Sequence, residues 1–321
     1  MGQRVIYSLM NANNVYGEEE MKDKSFPLIT VITPTYKSNP KYLREAIESV
    51  LIQTYPHIEY IITDDGSENF PEKEIIEYLE RNKQGNIVYK IIRNEINVGT
   101  VKNLNGALKI ANGNYIFLLA QDDVYYDKQV LLERVKYFQE TRALISIAFA
   151  EVVNFDLSSR FQYIPPKRKV QNLKSMEPNE LLMDMWYSCN LYGCTIAFSH
   201  KYFEQFGYYD ERYRLMEDGP LFYHLLMRGV KIYFWDGIAI KYRTEPNDRV
   251  RRYHHNQIYC RDKLLFLKEK TTYYTGIKKI LLFSDAKRFQ IKTELSNKNQ
   301  KIGQIITIIE GYLRVLYFSK Q

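Results

Sequence analysis

Short apolar strands alternate with helix-forming stretches through the first 125 residues, and this alternation restricts the fold more than any other feature. Continuous runs rich in β-branched residues occupy positions 28–33, 58–63, 87–92 and 115–119. Such runs are typical of strands buried on both faces of a sheet. The pattern predicts βαβ units, and therefore an α/β fold with a doubly wound, mainly parallel sheet and helices on both faces.

Polar residues follow three of these strands. In open parallel sheets, ligands bind outside the carboxyl ends of the strands, so these residues mark a candidate binding edge. The polar segments that follow the first, second and fourth strands are Pro34-Thr35-Tyr36, Asp64-Asp65-Gly66-Ser67 and Asp122-Asp123.

Two adjacent carboxylates, Asp122 and Asp123, follow a strand that we expect to be buried. Buried carboxylates are unfavourable unless something compensates their charge. Mg²⁺ or Mn²⁺ takes one or two protein carboxylates and completes its shell with phosphates and water. The pair is therefore a candidate site for a metal-bound diphosphate, and an ordinary turn or helix cap is the alternative.

The other acidic segments also have a structural and a chemical interpretation. Asp-Gly is a strong turn signal, yet the carboxylates of Asp64 and Asp65 can accept hydrogen bonds from a nucleotide base or ribose. Tyr36 can stack on a base or simply pack. Glu217 and Asp218 precede a predicted helix, where the helix dipole favours acidic residues, but a positioned carboxylate there can also act as a general base.

Several classes of protein lose support from what the sequence lacks. It has no G-x-x-x-x-G-K-[ST] loop and no G-x-G-x-x-G motif, which disfavours P-loop kinases and dinucleotide-binding enzymes, and it has no G-x-S-x-G elbow. No run of 18 apolar residues and no signal peptide is evident. Its three cysteines include no C-x-x-C pair, so we expect a reducing, cytoplasmic location.

The second half of the chain has a less regular pattern. After Asp127 we expect a mixture of helices and strands, a loop at 156–177, and mostly helix from Tyr253 to the end. The expected helices lie after Asp127, at 178–187 and at 217–229, and the expected strands lie near 143–150, 194–199, 231–235 and 238–242.

The net charge of +7 is concentrated in the C-terminal quarter. Residues 241–321 contain 18 Lys/Arg and 7 Asp/Glu, whereas residues 1–240 contain 27 and 31. Basic residues are interleaved with apolar ones at 278–292, and an apolar stretch follows at 302–318. Such helices can lie in a bilayer interface or pack on another domain. A nucleic-acid binder is disfavoured because no aromatic-studded RNA motif accompanies the basic residues.

His254-His255 is a candidate metal or phosphate contact or a plain surface feature.

Three segments, in this order, resemble the family 2 glycosyltransferases of the GT-A fold. The resemblance covers roughly residues 27–243. The first segment, with its QTYP and DDGS elements, is quite specific, whereas the ED element in the third would not be specific alone. The segments are PLITVITPTYKSNPKYLREAIESVLIQTYPHIEYIITDDGS, NVGTVKNLNGALKIANGNYIFLLAQDDVYY and FGYYDERYRLMEDGPLFYHLLMRG.

The resemblance implies a role for each matching residue. Tyr36 would stack on the nucleotide base, and Lys102 would lie near the phosphates. Asp123, together with Asp122, would bind Mn²⁺ or Mg²⁺. Asp218 would be the catalytic base, with Glu217 beside it contacting the acceptor. The nucleotide-sugar site as a whole would comprise Pro34, Thr35, Tyr36, Asp64, Asp65, Lys102 and Asp122.

The implied enzyme is an inverting, metal-dependent glycosyltransferase that moves a sugar from a nucleotide-sugar, with UDP favoured, to a hydroxyl of a saccharide acceptor. We expect a lipid-linked acceptor in bacterial surface polysaccharide synthesis, of the O-antigen or capsule type. Residues 273–321 would then contact the inner face of the cell membrane peripherally. Ala120 stands where many members have an Asp, so a non-catalytic nucleotide-sugar or glycan-binding protein of the same fold is the alternative.

On this interpretation the chain has three parts. Residues 1–26 form an irregular leader. Residues 27–245 form the GT-A catalytic domain, with a nucleotide-binding half at 27–125 and an acceptor-binding half at 126–245. Residues 246–321 form a basic, mostly helical C-terminal region.

Overall fold

The computed structural model describes residues 3–7, 26–83, 87–187, 191–244 and 256–273, together with Ala286 and Phe289. The strands are β1 (Gln3–Tyr7), β2 (Ile29–Thr35), β3 (Ile58–Asp64), β4 (Ile87–Asn94), β5 (Tyr115–Leu118), β6 (Val124–Tyr125), β7 (Ile145–Val153), β8 (Arg160–Ile164), β9 (Ala197–Ser199) and β10 (Tyr233–Arg243). The helices are α1 (Pro40–Leu51), α2 (Glu72–Asn82), α3 (Thr100–Leu108), α4 (Val130–Thr141), α5 (Lys167–Ser175), α6 (Pro178–Tyr187), α7 (His200–Phe206), α8 (Asp218–Met227) and α9 (Gln257–Tyr273).

The chain forms two compact units. The first comprises Met1–Arg212 and Glu217–Glu245, and the second comprises Tyr213–Met216 and Pro246–Gln321. All the strands named above and helices α1 to α8 belong to the first unit. The segment 213–216, which lies between α7 and α8, belongs to the second unit.

One sheet runs through the first unit in the order β1-β4-β3-β2-β5-β9-β7-β10-β6, with β8 paired to β7. Strands β2 to β5 are mutually parallel, and β7 is parallel to β10. Because β9 is antiparallel to both β5 and β7, these six strands share one direction. The predicted α/β fold with a mainly parallel, doubly wound sheet is therefore confirmed, and the carboxyl ends of the six strands lie at one edge.

Helix α1 shows how the local sequence determines the first βα unit. The side chain of Asn39 caps the helix by accepting a hydrogen bond from the backbone N–H of Lys41 at 3.0 Å, and Pro40 occupies the first turn, where no N–H is needed. Leu43 and Ile47 are buried on the face that packs on the sheet. The apolar spacing and the cap thus agree on where this helix begins.

Residues 3–7 correct the expected irregular leader. They form β1, which pairs antiparallel with β4 from Gln3 opposite Asn94 to Tyr7 opposite Lys90. This five-residue strand is stabilised by pairing with a strand that is distant in the sequence, so its own residues do not reveal it. The rest of the leader up to residue 25 lies outside the described residues.

The segment 156–177, expected to be a loop, contains β8 and α5. Strand β8 pairs antiparallel with β7 and carries mostly exposed side chains, so it lacks the apolar pattern of the buried strands. Helix α5 is largely basic, but Val170 and Leu173, three residues apart, are buried. Both elements are stabilised by tertiary packing rather than by an obvious local pattern.

Two smaller differences concern the later strands. The expected strand at 194–199 is shorter, because Gly193–Thr195 form a 3₁₀ turn and only Ala197–Ser199 are extended. The two strands expected at 231–235 and 238–242 form the single strand β10, whose register with β7 shifts between Trp235 and Ile240.

In the second unit, Asp262 on α9 holds the segment 214–216. Its Oδ2 accepts hydrogen bonds from three consecutive backbone N–H groups, at 2.8, 2.6 and 3.2 Å. Of the C-terminal region expected to be helical, α9 is described, whereas most of the basic and apolar stretches at 278–292 and 302–318, and His254-His255, lie outside the described residues. Among the described helices, none is long and apolar enough to cross a membrane.

Candidate functional site

Asp64 organises the ends of β2 and β3. It is the last residue of β3 and stands in register with Thr35, the last residue of β2. The carboxylate is fully buried: Oδ1 accepts a hydrogen bond from Thr35 Oγ1 at 3.2 Å, and Oδ2 accepts one from the Ser67 N–H at 2.9 Å. Nε of Arg93 lies 3.6 Å from Oδ2. Pro34, directly before Thr35, is half-buried. Asp64 therefore fixes the turn at the predicted binding edge.

The carboxylate of Asp65 holds the loop that leads into α3. Oδ1 accepts hydrogen bonds from the Val98 N–H at 2.8 Å and from Asn94 Nδ2 at 3.2 Å. Oδ2 accepts hydrogen bonds from the Gly99 N–H and from Asn97 Nδ2, both at 2.9 Å. In the structure these contacts hold the loop that leads into α3, and the contact between Asp65 and a base stays a prediction.

Gly66 lies where this turn meets the same loop. Its φ is +73°, and an added Cβ would stand 2.5 Å from the carbonyl carbon of Ile96. Real Cβ atoms do not approach backbone this closely, and L side chains rarely adopt such a φ. The Asp-Gly signal in the sequence therefore reflects both a turn and a close contact between two backbone segments.

Gln121 joins the Tyr36 loop to the segment that contains the Asp122-Asp123 pair. Its Oε1 accepts a hydrogen bond from the Tyr36 N–H at 2.8 Å, and its Nε2 donates one to the Tyr36 carbonyl at 3.2 Å. Tyr36 itself stays 40% exposed. The structure thus brings the candidate base-stacking residue next to the candidate metal segment. Sequence reasoning missed Gln121.

Asp123 is almost completely buried, at 1% exposure. Its Oδ1 accepts a hydrogen bond from the backbone N–H of Arg243 at 2.9 Å, whereas within the described part of the chain Oδ2 has no hydrogen-bond partner. Burial, and next the nearby charge of Asp122, raise the pKa of Asp123 well above its usual range. Buried carboxylate oxygens without a partner are uncommon in folded proteins, and a water molecule or a cation is the usual partner of such an atom.

The residues at this site fit a divalent cation. Asp122 and Asp123 offer hard carboxylate oxygens, and the unpartnered Oδ2 would be satisfied by a cation. Among the described residues no group of three or more His, Cys, Asp or Glu is placed to hold a metal. Mg²⁺ and Mn²⁺ nevertheless bind through one or two carboxylates when substrate phosphates and water supply the other ligands. The donor set therefore suits a metal–diphosphate complex.

Asp218 is the first residue of α8, and Glu217 precedes it as the N-cap. Oδ1 of Asp218 accepts a hydrogen bond from the Gly219 N–H at 2.7 Å, and Oδ2 of Asp218 accepts one from the Gly193 N–H at 3.3 Å. The phenol of Tyr209 is affected by the charges of both acidic residues: burial, followed by the charge of Glu217, raises the pKa of Tyr209 well above its usual range. The predicted helix start is confirmed, and a second segment of the chain orients the carboxylate.

Lys102 lies in the first turn of α3 and is exposed. Three residues further along this helix, the buried side chain of Asn105 accepts a hydrogen bond from the Tyr209 N–H at 3.0 Å and donates one to the Tyr209 carbonyl at 2.9 Å. It also donates one to Glu211 at 3.1 Å. Asn105 thus ties the helix that carries Lys102 to the segment that contains Tyr209, a connection that sequence reasoning missed.

Comparison with known families gives one match over more than half of the chain. A sequence model described as glycosyl transferase family 2 matches residues 30–207. This range includes the segments around Asp64-Asp65 and Asp122-Asp123 and stops before Glu217-Asp218.

Three curated proteins illustrate the similarity. An uncharacterized glycosyltransferase of Rickettsia felis is 28% identical over 223 residues, which is 68% of this chain and 34% of that protein. The uncharacterized glycosyltransferase MJ1057 of Methanocaldococcus jannaschii is 35% identical over 151 residues, 46% of this chain and 50% of that protein. The putative teichuronic acid biosynthesis glycosyltransferase TuaG of Bacillus subtilis is 26% identical over 222 residues, 69% and 81% of the two chains. The chain thus spans half or less of the first two relatives.

Two solved structures share the fold. TarS 1–349 of S. aureus, in complex with UDP-GlcNAc, has a TM-score of 0.55 at 19% identity, covering 82% of this chain and 70% of that one. The mannosyltransferase PcManGT from Pyrobaculum calidifontis, in complex with GDP-Man and Mn²⁺, has a TM-score of 0.54 at 18% identity, covering 81% and 69%. At these identities the likeness concerns the fold.

Proposed function

This chain belongs to the family 2 glycosyltransferases, and we propose that it transfers a sugar from a nucleotide-sugar to a hydroxyl group of a saccharide acceptor, with inversion at the anomeric carbon. The observation that carries the proposal is the buried Oδ2 of Asp123, which has no hydrogen-bond partner in the described part of the chain. This atom lies in a segment bonded to the loop of Tyr36, whose ring is exposed.

The donor side of the site is the edge formed by the ends of β2 and β3. Tyr36 stacks on the base, Asp64 and Asp65 hold the surrounding turn and loop in shape, and Lys102 neutralises phosphate charge. Two structures of similar fold were obtained with UDP-GlcNAc and GDP-Man, which supports a nucleotide-sugar as the class of donor. We assign UDP as the nucleotide from the sequence resemblance.

Asp123, with Asp122, binds Mn²⁺ or Mg²⁺ together with the diphosphate of the donor. When bound, the cation would neutralise the negative charge that builds up on the departing nucleoside diphosphate. The raised pKa of Asp123 is consistent with this role, because a carboxylate that is buried without compensation resists ionisation until a cation is present.

Asp218 acts as the general base. It accepts the proton of the acceptor hydroxyl while that oxygen forms a bond to the anomeric carbon and the bond to the nucleoside diphosphate breaks. A single in-line displacement of this kind inverts the anomeric centre, so an α-linked donor gives a β-linked product. Glu217 contacts the acceptor beside Asp218.

The acceptor is a lipid-linked saccharide at the inner face of a bacterial membrane, in the synthesis of a surface polysaccharide. The support is the basic and apolar composition of residues 273–321, together with the similarity to TuaG. Flotation of the protein with liposomes that contain anionic lipid, with and without residues 273–321, tests the membrane contact. Equal flotation of the two forms would contradict it.

The test of the enzymatic proposal is a screen for nucleoside diphosphate release from UDP-, GDP- and dTDP-sugars, with Mn²⁺ and with EDTA, in the presence of lipid-linked acceptors. We expect release from one donor, dependent on the metal, and a product whose anomeric configuration, determined by NMR, is opposite to that of the donor. A product that retains the donor's configuration would refute inversion.

A non-catalytic binding protein of the same fold is the second candidate, because the sequence resemblance implies an Asp in many family members at the position where this chain has Ala120. It predicts binding of a nucleotide-sugar without release from any donor in the screen. Release by the wild type that is lost in Asp123→Ala would exclude this candidate.

A further inference from the structure

Arg243 is the last residue of β10, and its side chain is completely buried. Nε donates a hydrogen bond to the carbonyl of Phe155 at 3.0 Å, Nη1 donates one to the carbonyl of Asp122 at 2.5 Å, and Nη2 pairs with the carboxylate of Glu45 on α1. The ring of Tyr42, also on α1, lies 5.0 Å from the guanidinium carbon. Each nitrogen of the guanidinium therefore has a partner.

The same residue also contacts the candidate metal ligand through its backbone. The N–H of Arg243 donates to Oδ1 of Asp123 at 2.9 Å, and Oδ2 is the oxygen without a partner among the described residues. The guanidinium meanwhile holds the carbonyl of Asp122, the preceding residue. One residue thus fixes the orientation of the Asp123 carboxylate and the path of the backbone that carries it.

These contacts are of the kind that orients metal ligands in other proteins. Groups that hold a ligand in position through hydrogen bonds are worth about 10- to 100-fold in metal affinity when they are changed. A guanidinium presents its donors in a fixed planar fork, whereas a lysine ammonium is a point charge on a flexible chain. Lysine at position 243 would keep the charge but would not satisfy three acceptors in three directions.

We infer that Arg243 is a positioning residue for the divalent cation: through Asp122, Phe155 and Glu45 it holds the Asp122-Asp123 segment so that Oδ2 of Asp123 is the oxygen left for the metal. The inference rests on the proposed function, in which Asp123 is the metal ligand. It adds a residue that lies 120 positions away from Asp123 in the sequence and touches neither donor nor acceptor in the proposed mechanism.

Arg134 provides a matched control. It is as buried as Arg243, at 2% exposure for each residue. Its guanidinium also bonds to backbone carbonyls, those of Thr195 at 2.8 Å and Ser146 at 3.1 Å. Its partners therefore differ from those of Arg243 and exclude the Asp122-Asp123 segment. Lysine at either position should destabilise the fold, but only lysine at 243 should affect the metal site.

The experiment measures Mn²⁺ binding by electron paramagnetic resonance in the presence of UDP, for the wild type, Arg243→Lys, Arg134→Lys and Asp123→Ala, with thermal unfolding of each variant alongside. We expect Arg243→Lys to bind Mn²⁺ about tenfold more weakly than the wild type. We expect Arg134→Lys to lose thermal stability while it keeps the wild-type affinity for Mn²⁺.

Wild-type affinity in Arg243→Lys overturns the inference, and so does an equal loss in both lysine variants, since that would be a general effect of destabilisation. If Arg243→Lys does not fold, Glu45→Gln takes its place. This variant removes the charge of one partner of the guanidinium at a half-exposed position of α1. Unchanged Mn²⁺ affinity in Glu45→Gln overturns the inference. If the wild type binds no more Mn²⁺ than Asp123→Ala does, the result contradicts the proposed function itself.

Discussion

Gly193 lies directly against Asp218. Its N–H donates a hydrogen bond to Oδ2 of Asp218 at 3.3 Å, and a Cβ added at residue 193 would stand 2.6 Å from the Cβ of Asp218. Carbon atoms that are not bonded to each other prefer separations of about 3.5–4.0 Å. The absence of a side chain at 193 therefore allows the carboxylate to stand where it does at the start of α8.

Gly193→Ala should displace Asp218 and slow the transfer step. A displacement of about 1 Å in a reacting group can reduce a rate about 100-fold, so we expect a fall in kcat of that order. The Mn²⁺ affinity and the KM for the donor should change little, because the side chain that the new Cβ meets is that of Asp218, which the proposal makes the base and not a metal ligand. Steady-state kinetics with the donor found in the screen measure both quantities.

The double variant Gly193→Ala with Asp218→Asn separates a specific effect from a general one. If Gly193 acts through Asp218, the double variant should be no slower than Asp218→Asn alone, since coupled residues are not additive. If the loss of rate in the double variant equals the product of the losses in the two single variants, Gly193 acts by a route that does not involve Asp218.

Asp65→Asn should destabilise the protein even without a nucleotide. Within the described part of the chain the carboxylate receives hydrogen bonds from two backbone N–H groups and two asparagine side chains, and an amide nitrogen in place of one oxygen would face two donors. We expect a loss of about 3 kcal/mol in the free energy of unfolding, measured by denaturant titration. Asp127→Asn, at an exposed residue that accepts one hydrogen bond from Gln129, should change it by less than about 1 kcal/mol. Weaker UDP binding with unchanged stability would instead favour a direct contact between Asp65 and the base.

Glu59 is a buried carboxylate inside β3, close to the end of the strand opposite the site. Oε1 accepts hydrogen bonds from Lys90 Nζ at 2.5 Å and Asn112 Nδ2 at 2.7 Å. Oε2 accepts them from Thr30 Oγ1 at 2.6 Å and the Asn112 N–H at 2.8 Å. Burial alone would raise the pKa of Glu59, but these hydrogen bonds outweigh it and lower the pKa below 4.5. We expect Glu59→Gln to lose about 3 kcal/mol of stability at pH 7.

The pH dependence of this loss has a definite sign. Because the pKa of Glu59 is lower in the folded state, its stabilising contribution is complete above the pKa of the unfolded chain and disappears as the pH falls through the folded-state pKa. The difference in unfolding free energy between wild type and Glu59→Gln should be constant above about pH 5.5 and shrink below about pH 4.5. Glu77→Gln, which alters an exposed ion pair with Arg81, serves as the control with an effect under about 1 kcal/mol. A difference that grows on acidification would contradict the assignment.

Gln121→Ala should weaken donor binding by releasing the loop of Tyr36. The two hydrogen bonds between the Gln121 amide and the Tyr36 backbone would both be lost. A net contribution of about 1.4 kcal/mol corresponds to a tenfold weaker affinity for UDP, measured by calorimetry. Tyr36→Ala gives the limit for loss of stacking. An unchanged UDP affinity in Gln121→Ala would mean that the position of Tyr36 does not depend on this amide.

Much of the nucleotide-binding half could be predicted from local sequence. The β-branched runs at 58–63 and 115–119 correspond to β3 and, except for its last residue, to β5, and Asn39-Pro40 marks the start of α1. These features were predictable because strand burial and helix capping depend on residues close together in the chain. The same reasoning failed for β1 and β8. Each is a short strand with polar residues, and each is stabilised by pairing with a strand that is long and apolar.

The connections within the site were beyond such reasoning for a related reason. Gln121 contacts Tyr36 across 85 positions, Asn105 contacts Tyr209 across 104, and Arg243 contacts Asp122 across 121. None of these side chains belongs to a local pattern, and their roles depend on which strands the fold places side by side. The location of Asp64-Asp65 and Asp122-Asp123 after parallel strands was predictable, because the carboxyl ends of parallel strands meet at one edge whatever the details of the packing, whereas their roles stay predictions.

The central claim is that Asp123 binds the metal and Asp218 removes the proton, and one comparison tests both together. It measures Mn²⁺-dependent nucleoside diphosphate release and, separately, UDP–Mn²⁺ binding in the wild type, Asp123→Ala and Asp218→Asn. We predict that Asp218→Asn binds like the wild type but releases nucleoside diphosphate about 100- to 10,000-fold more slowly, whereas Asp123→Ala loses the metal-dependent binding itself. Wild-type turnover in Asp218→Asn, or wild-type Mn²⁺ dependence in Asp123→Ala, would contradict the assignment.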